Sequence, residues 1–138
     1  DDQNYVGLNF RWEVFLIAQE SHGESSEDTY SDPDGLWADP DGRLFIQTDG
    51  SQKKGLNNQM LVVDTRTKEI RRLLTGVPGD EITGITTTPD RRTMFVNVQH
   101  PGRGDPKVTN FPAQPDGVTI PRDSTLVITR KDGGIIGS

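Results

Sequence analysis

One pattern recurs at a fixed distance along this chain, and it restricts the fold more than any other feature. Asp34-Gly35-Leu36-Trp37-Ala38-Asp39-Pro40-Asp41-Gly42-Arg43 is echoed by Thr83-Gly84-Ile85-Thr86-Thr87-Thr88-Pro89-Asp90-Arg91-Arg92. Gly35 and Gly84, Pro40 and Pro89, Asp41 and Asp90, and Arg43 and Arg92 all coincide at one offset of 49 residues. Each copy runs into an apolar segment, Leu44-Phe45-Ile46 in the first and Met94-Phe95-Val96 in the second. A strand–turn–strand unit repeating every forty to fifty residues or so is the sequence form of a β-propeller blade, which buries its faces by stacking on its neighbours. The plainer explanation is that two hairpins with Pro-Asp turns resemble each other through turn chemistry alone.

The rest of the chain has the same grain. Residues 35–39 and 43–48 read as strands around Pro40-Asp41-Gly42, residues 59–64 and 69–74 as strands around Thr65-Arg66-Thr67-Lys68, and residues 82–88 and 93–99 as strands around Pro89-Asp90-Arg91. Proline presets φ and glycine accepts a positive φ, as tight connections require. Residues 125–130 form a further strand, Lys131-Asp132-Gly133-Gly134 a turn, and Ile135-Ile136 the start of another strand. Near the beginning, Phe10, Trp12, Val14, Leu16 and Ala18 alternate with Arg11, Glu13, Phe15 and Ile17, a period of two that predicts a strand over residues 10–18. Residues 19–33 are rich in Ser, Glu and Asp, too polar to pack, and read as a surface loop. The Pro- and Gly-rich residues 101–124 read as a second, longer loop. No segment carries a helical stripe. The expectation is an all-β chain of antiparallel propeller blades, one structural unit over residues 1–138 and a fragment of a larger propeller.

Composition agrees and excludes several functions. Hydrophobic residues make up only 30% of the 138 residues, against about half in ordinary domains. Either polar loops dilute a small core, or neighbours outside this sequence supply apolar partners. The net charge of −6 argues against binding duplex nucleic acid, which needs clustered cations. It suits a protein that holds hard cations on oxygen ligands, and equally one that simply keeps its surface soluble. With no cysteine, disulfide frameworks, zinc–thiolate sites and thiol nucleophiles are excluded. No apolar run reaches the length of a membrane span. The start at Asp1 without Met points to a processed or truncated chain.

Residues just ahead of a blade's innermost strand line the mouth of a propeller's channel. Asp32, Pro33 and Asp34 hold that place in one unit, and Asp80 and Glu81 in the next, so acids from both converge there. His100, at a strand end, could be a metal ligand or the partner of a neighbouring carboxylate, and reads most simply as structural. His22 reads as solvated, Asn57, Asn58 and Gln59 as loop amides, Arg122 as a surface cation, and Trp12, Trp37 and Phe45 as core. Ser, His and Asp are all present, but no spacing suggests a nucleophilic triad.

The order and spacing of several stretches together carry a family resemblance. They are Phe10-Arg11-Trp12-Glu13-Val14-Phe15, Pro33-Asp34-Gly35-Leu36, and Gly42-Arg43-Leu44-Phe45-Ile46-Gln47-Thr48-Asp49-Gly50. Asn57-Asn58-Gln59-Met60, Glu69-Ile70-Arg71-Arg72-Leu73-Leu74-Thr75-Gly76 and Glu81-Ile82-Thr83-Gly84 follow. The most specific is Thr88-Pro89-Asp90-Arg91-Arg92-Thr93-Met94-Phe95-Val96-Asn97-Val98-Gln99-His100-Pro101-Gly102. In these the chain resembles the C-terminal portion of PhoX-type alkaline phosphatases. The resemblance implies a β-propeller, hydrolysis of phosphomonoesters at a cluster of calcium and iron ions, and export to the periplasm or beyond the cell. It also implies that the family's earlier blades hold the other ligands, so this fragment alone is inactive.

Under that resemblance Glu81 is the first candidate metal ligand, with Asp34 second and Asp49 third, since calcium takes six to eight oxygen ligands, mainly carboxylates and carbonyls. Each is also an ordinary loop or turn acid in its own right. Asp80 departs from the small residue or cysteine that the family places before this Glu. Two other functions stay open: a calcium-dependent, lactonase-like propeller hydrolase, and a non-catalytic β-sheet binding module. Missing blades would also leave open sheet edges, through which copies of the chain could self-associate.

Overall fold

Short alternating segments divided by turn residues build antiparallel meanders, and two form here. The computed structural model describes residues 6–18, 30–50 and 55–138. Strands β1 (Pro33–Ala38), β2 (Arg43–Thr48), β3 (Gln59–Asp64) and β4 (Ile70–Thr75) make a four-stranded sheet in sequence order. Strands β5 (Glu81–Thr87), β6 (Thr93–Gln99) and β7 (Ser124–Thr129) make a three-stranded one. All pairings are antiparallel. Among the described residues there is no α-helix, only a 3₁₀ turn at Pro101–Gly104. The fold is all-β, with the architecture of consecutive propeller blades.

The two sheets pack face to face. Phe45, Met60 and Val62 of the first sheet meet Ile82, Met94, Val96 and Val98 of the second, with Trp37 stacked obliquely on Phe45 at 5.2 Å between ring centroids. Burying each such side chain contributes about 1.5–3 kcal/mol relative to leaving it exposed. A second cluster, Tyr30, Ile46, Leu61 and Val63, covers the far face of the first sheet, where Phe15, Leu16 and Ala18 lie against it.

The sequence repeat is a repeat of geometry. The β1–β2 register slips between Pro33 and Leu36, and the β5–β6 register slips between Thr83 and Ile85, so each hairpin has a bulge at its repeated glycine. A side-chain amide fills the space of the missing Cβ in both: Gln47 over Gly35 and Asn97 over Gly84. Gln47 Nε2 also crosses between sheets and donates to the Gly84 carbonyl at 3.2 Å. At the opposite end, the Pro-Asp turns meet. Asp39 accepts the Arg43 backbone N–H at 2.9 Å and its Nε at 2.7 Å, and Arg43 Nη2 reaches Asp41 at 2.7 Å. Arg91, from the second sheet's turn, brings its own charge to 2.7 Å from Asp41.

Three sequence expectations need correction. Residues 10–18 form no strand; Phe10 and Trp12 are exposed, so Trp12 is not core, and the segment touches the first sheet through Phe15, Leu16 and Ala18. The polar stretch before β1 does pack at its end, where Tyr30 is buried; residues 19–29 lie outside the described residues. Ile135 and Ile136 are in a turn rather than a strand. That turn is anchored: Ile136 is buried between the sheets, its N–H donates to the Arg91 carbonyl at 3.0 Å, and Arg71 donates to the Gly137 carbonyl at 2.8 Å. A Cβ on Gly137 would come within 2.9 Å of the Phe45 ring, and its φ of 83° suits glycine alone.

Candidate metal centre

The antiparallel order brings the end of β2, the starts of β3 and β5, the end of β6 and the start of β7 to one end of the molecule. Buried polar residues brace that end. The Thr48 hydroxyl donates to Asn58 Oδ1 at 2.8 Å and accepts the Gln59 N–H at 3.0 Å. The Asn58 amide donates to the Gly50 carbonyl at 3.3 Å and, more closely, to the Asp80 carbonyl. One buried amide therefore ties the residue after Asp49 to the residue before Glu81. A satisfied buried network of this kind holds one geometry, because breaking any member strands the others.

Asp80 is the most perturbed of these groups. Its side chain is buried, and burial raises its pKa to about 6, against the opposing pull of the Val77 N–H that Oδ2 accepts at 2.9 Å. Its Oδ1 has no hydrogen-bond partner among the described residues. Gly76 has to be glycine, since a Cβ there would lie 1.9 Å from Asp80 Oδ2.

Glu81 opens β5 and is half-buried; His100 follows β6. Their side chains meet, with His100 Nε2 at 3.4 Å from Glu81 Oε2. The other ring nitrogen, Nδ1, faces the Gly79 carbonyl at 3.2 Å. His100 has φ 36° and ψ 49°, left-handed for a residue with a Cβ. Such a conformation costs of the order of 1–3 kcal/mol and persists only where its surroundings impose it. Here Asp123 Oδ1 accepts the His100 N–H at 2.7 Å, and the Arg103 N–H binds the His100 carbonyl at 2.8 Å. Partial burial pulls the imidazole pKa down, but the Gly79 carbonyl, His100's own backbone and the Glu81 carboxylate together hold it above its ordinary value.

Asp49, just past β2, completes a trio: one ligand-type atom from each of Asp49, Glu81 and His100 lies within 4.8 Å of the others. Of the acids singled out from sequence, Asp49 and Glu81 are brought together from different sheets. Asp34 is exposed on β1 and stands outside the trio. In the repeat, the counterpart of Glu81 is Asp32, and Asp34 corresponds to Thr83, two residues further into the strand. His100, open from its sequence position as a ligand but ranked behind the three acids, joins Asp49 and Glu81 here. Hairpin arithmetic could have found it: closing residues 88–93 as a turn sets Glu81 opposite His100, and the bulge at Gly84 moves that pairing by only one residue, to Gln99. Asn58 bonds within the loops, as its sequence reading implied, and His22 lies outside the described residues.

The family model for alkaline phosphatase PhoX matches residues 1–102. Among solved structures, Pseudomonas fluorescens PhoX in complex with vanadate, a transition state analogue, is 47% identical in sequence, with a TM-score of 0.67. The similarity covers 76% of this chain and 19% of that one, so the chain spans about a fifth of that protein's length. No curated protein matches the chain.

Proposed function

The chain belongs to the PhoX family of alkaline phosphatases, and on that premise we propose that it supplies one corner of a metal-dependent centre hydrolysing phosphomonoesters in a larger protein. In this reading residues 1–138 are a single unit, the last blades of a longer propeller, and are inactive without the rest. The observation that carries it is the meeting of Asp49, Glu81 and His100. Two carboxylates and an imidazole form a donor set for a borderline cation such as iron, while a calcium shell of six to eight oxygens needs further ligands from elsewhere. The unpartnered Asp80 Oδ1, one residue from Glu81, fits a site with polar demand still to be met. A bound cation would supply charge stabilisation to the phosphoryl oxygens.

The chain's own contribution is positional. Asp49 and Glu81 present carboxylate oxygens from two sheets, and the Gly79 carbonyl favours a proton on His100 Nδ1, leaving Nε2 directed at the cluster. The vanadate held by the Pseudomonas fluorescens protein, a transition state analogue by its description, supports phosphoryl chemistry as the shared reaction. We place the protein in the periplasm or outside the cell on family grounds; no helix among the described residues is long and apolar enough to cross a membrane.

The test is turnover of p-nitrophenyl phosphate by the chain within its longer protein and by the chain alone. The longer protein should lose activity to a calcium- or iron-directed chelator. Glu81→Ala should lower kcat at least a hundredfold with little change in melting temperature. Undiminished turnover by that variant would overturn the role of Glu81, and turnover of a lactone instead of the phosphoester would reassign the enzyme. Open sheet edges imply self-association of the isolated chain, which sedimentation velocity measures directly.

A further inference from the structure

The residue that shapes this cluster from outside it is Asp123. It lies at the end of the long connection from β6, just before β7, and 23 residues separate it from the group it binds. Its Oδ1 accepts the backbone N–H of His100 at 2.7 Å. That N–H belongs to a left-handed residue at the end of β6, beyond the last residue paired with β5. The next turn is equally unusual: Gly102 and Arg103 both have positive φ, and the Gly102 N–H donates to the Pro78 carbonyl at 2.8 Å. Pro78 and Gly79 belong to the segment leading into Glu81, so the ring of His100 and the chain after it grip the same loop.

We infer that Asp123 is a positioning residue for the Asp49–Glu81–His100 cluster, holding His100 in its left-handed conformation so that Nε2 faces Glu81. Without the Asp123 acceptor, the N–H of His100 loses its partner, and the backbone relaxes toward an extended conformation that turns the ring away. The inference rests on the metal-centre reading for its consequence, but not for its geometry. Charge-assisted acceptance of a backbone N–H is strong for its size, and outer partners of this kind typically set metal affinity by about ten- to a hundredfold.

The experiment compares the wild-type chain with D123A and D123N by two measurements. One is a Co²⁺ titration of the metal-free longer protein, followed by the visible d–d bands. The other is the ¹⁵N spectrum of the His100 ring in the metal-free chain, readily assigned because His22 is the only other histidine of its 138 residues. D123A should weaken Co²⁺ binding about tenfold or more and replace the single Nδ1–H ring signature with a tautomer mixture. D123N keeps an oxygen acceptor at the same place and should restore both. Wild-type ring signals in D123A, or Co²⁺ affinity equal to wild type, overturn the inference, as does a D123N variant as impaired as D123A. Absence of Co²⁺ binding by the wild-type longer protein would instead overturn the metal-centre reading, while the ring spectra still decide the role of Asp123.

Discussion

The two sheets are built on the same hairpin, yet they are buried differently. In β2 and β3 every residue except Leu44 and Asp64 is buried, so these strands read as continuous runs with both faces covered. In β6 and β7 burial alternates, with Met94, Val96 and Val98 inward and Asn97 and Gln99 outward. The bulged glycine, the Pro-Asp turn and the overlying amide are shared; the outward residues are not. Trp37, Phe45 and Gln47 of the first unit correspond to Thr86, Phe95 and Asn97 of the second. Local turn chemistry therefore builds the hairpin, and the residues on its forward face decide whether it becomes an inner or an outer layer.

The largest test of that difference sets Phe45 against Phe95. Phe45→Ala empties the space between the sheets and should cost about 3–5 kcal/mol in urea unfolding. Phe95→Ala, at the matching place on the outer face, should cost about 1 kcal/mol. Equal losses would break the comparison, because they would mean that the outer face is covered in solution. A smaller contrast lies in the amides. Gln47→Ala removes the inter-sheet bond to the Gly84 carbonyl and should cost about 1 kcal/mol, whereas Asn97→Ala, on the open face, should stay within about 0.5 kcal/mol of wild type. The smallest concerns charge. The first sheet's turn carries the buried Asp39–Arg43 pair; the turn after β7 carries the exposed pair of Arg130 and Asp132. The Arg130 side chain, then the Gly134 N–H, depress the Asp132 pKa to about 2. A depressed carboxylate stabilises the fold above its ordinary titration range and loses that contribution as pH falls through the folded value. Asp132→Asn should therefore lower the melting temperature slightly at pH 7, and the difference should shrink as pH falls through about 2.

Much of this fold was legible in the sequence because turns are local. Pro40-Asp41-Gly42 and Pro89-Asp90-Arg91 fix φ within a few residues, and β2, β3 and β6 span the residues their patterns indicated. Residues 10–18 show where that reasoning stops. Their period of two is satisfied whether or not a partner strand lies alongside, and pairing is a property of distant chain. Tyr30 teaches the converse: one aromatic at the end of a polar stretch is enough to find the core. For the site, Asp49 and Glu81 were readable as acids at strand ends. That they meet, and that Asp34 does not join them, depends on how two sheets stack, which no stretch of sequence encodes by itself. His100 needed the hairpin register as well as its own identity.

Asp49 and Glu81 ride on different sheets, and those sheets are fastened at two separated points. Arg91 clamps the turns to Asp41 at one end, and Gln47 holds the Gly84 bulge nearer the other. Two fixings along one seam leave no pivot about which the jaws could swing. On the metal-centre reading proposed above, the span between the carboxylates is the setting of a locked caliper, a gauge for ionic radius dialled in by residues well away from the ion it would hold.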